Sequence, residues 1–206
     1  MDVHPLIYAH RGIWQTRDQQ NSRQSIEAAR FSGYGVETDF RSKSDSLVIS
    51  HDPYGDSKPL AADEIDFTEI PVALNIKEDG LLPQYEAFIE EYPNQHTFLF
   101  DGSIPEMVKI KERKLPHALR LSEYETDLPW ESQFLWIDGF NSDWWIKAPK
   151  ILNLMEKHFA VFVSPELHGR DLNLAWEFFY LLHSKAIAPF GICTDQPDKL
   201  KAVFNE

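Results

Sequence analysis

Short apolar runs and helically spaced segments alternate along the whole chain, and no other feature constrains its fold as much. Residues 6–9, 35–41, 72–77, 97–101, 117–122, 134–138, 160–164 and 190–194 read as strands. Most are followed by a segment with helical spacing, at 22–31, 81–92, 104–114, 148–158, 173–184 and 197–204. Ser22 is placed to cap the first of these and Gly33 to end it, while Pro105 suits a first helical turn and Pro93 stops the helix before it. Residues 123–132 are too polar, and too broken by Pro129, to make a helix. In 173–184, Trp176, Phe179, Tyr180 and His183 form a stripe expected to pack inward. Eight strand signals separated mostly by helices predict a parallel α/β fold, and the number favours a compact (β/α)8 barrel. Periodicity alone leaves a doubly wound sheet open. No internal repeat, low-complexity tract or linker interrupts the pattern, so 1–206 is expected to be one domain.

The ends of the first strands carry ionisable groups. The run 6–9 stops at His10-Arg11-Gly12, and an extended segment at 46–50 leads into His51-Asp52. Glu37 and Asp39 stand two apart on the second strand, so their side chains share one face. Two carboxylates with no cation between them in sequence repel unless a positive charge joins them. That makes Glu37 and Asp39 candidate ligands of a hard divalent cation, Mg²⁺ or Ca²⁺; two surface acids on an edge strand are the plain alternative. A guanidinium at Arg11 matches phosphate oxygens bidentately. The polar excursion 52–69, with Pro53, Gly55 and Pro59, reads as a site-covering loop with a short helix near 61–65.

A net charge of −13 argues against nucleic acid and against an electrostatic anchor on anionic lipid. Against that background, His10, Arg11, Lys77, Arg120 and Arg170 fall at or just beyond strand ends, a set that suits a compact anion. Arg170 lies in a stretch, 164–170, dense in ionisable groups, where pairing with Glu166 is the alternative to an anion contact. Trp144 and Trp145, in the 139–147 loop, could stack on the organic part of a substrate, whereas Trp136 lies inside a strand. A single cysteine, Cys193, excludes an intrachain disulfide, the first residues lack a secretory pattern, and the longest apolar stretch, 175–182, is too short to span a bilayer. A cytoplasmic protein is expected.

Ala9-His10-Arg11-Gly12, Asn21-Ser22, Glu37-Thr38-Asp39 and Ser50-His51-Asp52, taken in order and spacing, resemble the glycerophosphodiester phosphodiesterase family, part of a wider group of PLC-like phosphodiesterase barrels. Weaker echoes follow at 75–77, 100–101, 120–123 and 194–197. The resemblance implies a compact barrel that cleaves a small phosphodiester with a divalent cation, His10 and His51 forming the acid–base pair. It also implies that Lys77 stabilises charge on the phosphoryl group. Much of the family has a carboxylate where Asn75 stands; an amide oxygen still ligates but brings no charge. The implied metal set is therefore Glu37, Asp39 and Asn75, weaker than usual or completed by Asp101, Asp138 or Glu166. The rival readings are a barrel that binds a phosphorylated ligand without turnover, and an enzyme acting on surface-polysaccharide or lipid-linked sugar phosphates.

Overall fold

A computed structural model describes residues 4–55 and 58–205. Residues 1–3, where the secretory pattern was sought, and residues 56 and 57 of the 52–69 loop lie outside the described residues. In chain order the strands are β1 (Leu6–His10), β2 (Gly35–Lys43), β3 (Ser46–Ile49), β4 (Leu60–Ala61), β5 (Val72–Ile76), β6 (Phe98–Phe100), β7 (Ala118–Leu121), β8 (Phe134–Ile137), β9 (Phe159–Val163) and β10 (Phe190–Thr194). The α-helices are α1 (Arg23–Phe31), α2 (Leu82–Glu91), α3 (Ile104–Glu112), α4 (Lys150–Met155), α5 (Asn173–Ser184) and α6 (Pro197–Val203). They fall into two compact units, an N-terminal one of Ala9–His117 and a C-terminal one that joins Met1–Tyr8 to Ala118–Glu206.

In the N-terminal unit β5 pairs in parallel with β2 and with β6, and β3 and β4 extend the sheet in antiparallel fashion. The parallel strands read as near-continuous apolar runs because both faces are covered. Val36, Phe40, Val72, Leu74, Phe98 and Leu99 are all buried, and so are Ile26 and Ala29 of α1 and Tyr85 and Phe88 of α2. Ser22 caps α1, its hydroxyl accepting from the Ser25 backbone N–H. The expected helix near 61–65 is only a single 3₁₀ turn at Ala62–Glu64.

In the C-terminal unit β7, β8, β9 and β10 form a parallel run. The connection from β7 to β8 contains no helix, as its proline and polar residues predict. Helix α4 is shorter than the expected 148–158, beginning after Pro149 at its N-cap and ending at Met155. Helix α5 buries Ala175, Trp176, Phe179 and Leu182, a stripe of helical period. Tyr180 lies one residue, about 100° of helical turn, beyond Phe179 and is 40% exposed, which corrects its expected place in that stripe. Among the described residues no helix is long and apolar enough to cross a membrane.

Candidate active site

The N-terminal unit gathers six of the expected residues. Strand β1 ends at His10, and the chain turns at once through Arg11 and Gly12, with φ of 57° and 86°. A Cβ on Gly12 would stand 2.5 Å from the backbone of Ser25, so only glycine fits the close approach of this turn to α1. The Arg11 N–H donates to the Glu37 carbonyl at 2.8 Å, and the Arg11 carbonyl accepts from the Asn21 N–H and the Ser25 hydroxyl. The Trp14 indole donates to the His10 carbonyl at 3.0 Å. Left-handed backbone at a non-glycine residue is unfavourable, and here these four hydrogen bonds hold the turn in it.

Glu37 and Asp39 are 2% and 0% exposed, so the reading of two solvated surface acids is excluded. Register brings Asn75 beside Asp39, and the Asn75 amide donates to Glu37 Oε1 at 3.0 Å. Asp39 is met by Arg11 Nε at 2.9 Å, Asn21 Nδ2 at 2.7 Å and Lys77 Nζ at 3.2 Å. His10 Nε2 lies 3.8 Å from Glu37 Oε2. Burial raises the Glu37 carboxyl to about 6, and the Asp39 charge adds to the rise. His10, the Asn75 hydrogen bond and Arg11 pull the other way. Asn21 was visible in the sequence only as part of a motif. Its amide bridges the Thr38 hydroxyl and the Asp39 carboxylate, and the preceding left-handed turn is what brings it there.

Glu37 Oε2, Asp39 Oδ1 and Asn75 Oδ1 are buried and accept no hydrogen bond, although Lys77 Nζ stands 3.2 Å from Asp39 Oδ1 and His10 Nε2 3.8 Å from Glu37 Oε2. Buried acceptors without donors are uncommon and call for a physical reason. Oxygens of two carboxylates and an amide are the donor chemistry of Mg²⁺ and Ca²⁺, so the residues present fit a hard cation. The fit depends on Asn75: among the described residues no group of three His, Cys, Asp or Glu side chains is placed to hold a metal.

His51 stands apart from the six. The N–H of Ser50 donates to the Asp39 carbonyl at 2.9 Å, which places His51 just beyond Asp39. Its ring is 45% exposed, with Nδ1 at 2.8 Å from Asp52.

The remaining expected residues belong to the C-terminal unit. Trp145 is fully buried and stacks on Phe179 at 5.3 Å, so its expected contact with substrate is corrected to core packing. Trp144 is half-buried, its indole donating to the Asp138 carbonyl at 2.7 Å. Arg170 bonds the Asp143 carboxylate and the Gly139 carbonyl rather than Glu166. Glu166 instead accepts from the Ser164 and Thr194 hydroxyls. Arg120 pairs with Asp138 at 3.1 Å. The carboxylates of Asp138 and Glu166 thus already hold protein donors.

No family model matches the chain, and no curated protein matches it in sequence. Solved structures do match. A glycerophosphodiester phosphodiesterase of Agrobacterium tumefaciens superposes with a TM-score of 0.68 at 16% identity, over 98% of this chain and all (100%) of that one. A Galdieria sulphuraria protein assigned the same activity gives 0.70 at 12% identity over 99% of each chain. An Oleispira antarctica phosphodiesterase, in complex with its product sn-glycerol-3-phosphate, gives 0.64 at 13% identity over 98% of each chain.

Proposed function

From the premise that the chain has the fold of the glycerophosphodiester phosphodiesterases, the α/β barrel that its motifs implied, we propose that it cleaves a small phosphodiester at the Glu37–Asp39–Asn75 cluster. The observation that carries this reading is the set of three buried oxygens that accept no hydrogen bond, with Arg11, Lys77 and His10 beside them. Phosphoryl transfer needs little covalent chemistry from a protein. It needs a held phosphate, charge stabilisation, and a group that moves a proton to or from the reacting oxygens.

Arg11 and Lys77 both sit on Asp39, which holds them extended and close to the oxygen cluster. An arriving phosphate dianion-like centre would draw on the same two cations. His10, next to Glu37, is the first proton-transferring group, and His51, with Nδ1 tied to Asp52, is its partner. Glu37, Asp39 and Asn75 would hold a divalent cation, which when bound supplies Lewis-acid polarisation of a phosphoryl oxygen. The reading includes one working domain and a cytoplasmic setting, supported by the single buried cysteine and the −13 charge, with no nucleic-acid partner.

The test is a panel of glycerol-based and aryl phosphodiesters with Mg²⁺, Ca²⁺ or chelator, followed by phosphorus NMR. The expected result is cation-dependent conversion of at least one small diester. A monoester product identifies water as the nucleophile, and a cyclic phosphate identifies a hydroxyl of the substrate. A panel that stays unconverted while the protein binds the diesters would favour the second reading, a phospho-ligand-binding barrel without turnover. The neutral amide of Asn75 at a cation site is what keeps that reading open.

A further inference from the structure

Apart from the Glu37 cluster, the N-terminal unit carries an open pocket of about 190 Å³ between α2, the start of β3 and the 3₁₀ turn at Ala62–Glu64. Its floor is apolar: Leu47, Ala62 and Phe88 line it and are buried. The Tyr92 ring packs on Phe88, centroids 5.1 Å apart, and adds an aromatic wall. The reaction above uses none of these residues.

Both charged groups of the lining are acids. Asp63 and Glu91 are exposed, and among the described residues no Lys, Arg or His side chain lines the pocket. The adjoining acids are already matched, Glu64 by Arg23 at 2.5 Å and Asp66 by Arg30 at 2.6 Å. Uncompensated negative charge therefore gathers at Asp63 and Glu91. The Tyr92 hydroxyl registers that field: burial raises it to about 12, and Glu91, then Asp66 and Asp63, add to the rise. Two exposed acids alone would be an ordinary solvated surface, but Gln84 adds a directed acceptor. Its Nε2 donates to the Asp45 carbonyl at 3.2 Å, which fixes the amide's orientation because a carbonyl can only accept. The Oε1 left over is buried and accepts no hydrogen bond, and a buried acceptor without a donor calls for a partner.

We propose that this pocket binds a small primary alkylammonium, its head among Gln84 Oε1, Glu91 and Asp63 and its stem on Leu47, Ala62 and Phe88. An ammonium has three N–H donors for these three acceptors, and the Tyr92 ring attracts a cation. At ~30 Å³ for each water-sized group, a pocket of about 190 Å³ admits roughly six heavy atoms. An anion finds no counter-charge here. A hard divalent cation asks for six or more oxygens, whereas the floor of this pocket is carbon. The pocket shares no residue with the Glu37 cluster, so it stands or fails independently of the phosphodiester reading.

The experiment is NMR titration of the full-length protein with butylammonium chloride at neutral pH, with chelator present. Sodium butyrate and 1-butanol are titrated separately at matched concentration and ionic strength. The expected result is that the Gln84 side-chain amide and the Phe88 and Tyr92 ring signals move with butylammonium and not with the two controls. Nuclear Overhauser contacts should run from those rings to the butyl chain. Glu91→Gln changes an exposed residue at the end of α2 and should weaken binding roughly five-fold. Nα-acetyl-lysine methylamide presents the same head on a peptide backbone. Binding tighter than that of butylammonium assigns the site to a lysine of a partner protein, and binding no tighter assigns it to a free amine. Equal shifts with 1-butanol, contacts that fall outside this pocket, signals that butylammonium does not move, or an affinity unchanged in both Glu91→Gln and Asp63→Asn would each overturn the proposal.

Discussion

Turnover of a small diester falls by on the order of 10²- to 10⁴-fold when His10 is replaced by alanine. The imidazole is the group in the N-terminal cluster best suited to move a proton near neutrality, and Glu37 stands 3.8 Å from it. The backbone around it does not depend on the ring: the His10 carbonyl is held by Trp14, and the next residue's N–H by the Glu37 carbonyl. His10→Ala should therefore keep its melting temperature within a few degrees of wild type while losing activity. His51→Ala is the companion experiment. Its ring is exposed and bonded to the neighbouring Asp52, so the same loss without destabilisation is expected. Steady-state kinetics and thermal melts on both variants check this, and an unchanged rate in either removes that histidine from the reaction.

Glu37→Gln should stabilise the metal-free protein at neutral pH. The Glu37 carboxyl is raised from 4.5 to about 6 in the fold, chiefly by burial. A raised carboxyl favours the protonated form, so the fold loses stability as pH climbs from about 4.5 to about 6 and the penalty is complete above that. A shift of that size corresponds to a penalty of roughly 2 kcal/mol. Glutamine is neutral at every pH and its amide oxygen can still accept from Asn75. Glu37→Gln should thus exceed wild type by up to about 2 kcal/mol at pH 7.5, and the two should converge below about pH 4.5. Urea unfolding at both pH values with chelator present measures the gap. A gap of equal size at both pH values would mean that the buried charge is not its source. Turnover should move the opposite way, because the amide cannot supply the charge that a cation or His10 would use.

Much of this centre was legible because its residues lie close along strands. Glu37 and Asp39 follow from the two-residue period of a strand, whereas Asn75 was implied only by the family resemblance, and Lys77 by that and its place at a strand end. The alternation of apolar runs and helices located the strands, since buried parallel strands carry few polar residues to blur them. What escaped reading depends on contacts across long stretches of chain. Asn21 reaches Asp39 only because Arg11 and Gly12 turn left-handed, and no periodicity announces that. His168 and Asp138 are 30 residues apart, and each alone looks like an ordinary loop residue. Trp144 and Trp145 are adjacent in sequence, yet one faces a carbonyl and half the solvent while the other fills the core. A 3₁₀ turn at Trp144–Lys147 separates them, and a loop of unknown conformation gave no means to tell which faces inward.

Calorimetric titration of Mg²⁺ and Ca²⁺ at pH 7.5 tests most directly whether the buried oxygens of Glu37, Asp39 and Asn75 hold a cation. Glu37 and Asp39 bring two charges, and Asn75→Asp would add a third. A unit pair at ~4 Å and an effective dielectric of ~20 is worth ~4 kcal/mol. Repulsion among the carboxylates and the reluctance of Mg²⁺ to dehydrate offset most of it, leaving ~1–2 kcal/mol, or roughly ten-fold in affinity. The account predicts one site in the wild type, roughly ten-fold tighter binding in Asn75→Asp, and clearly weaker binding in Glu37→Gln. A wild type that binds neither ion, or binding that survives Glu37→Gln unchanged, would contradict it.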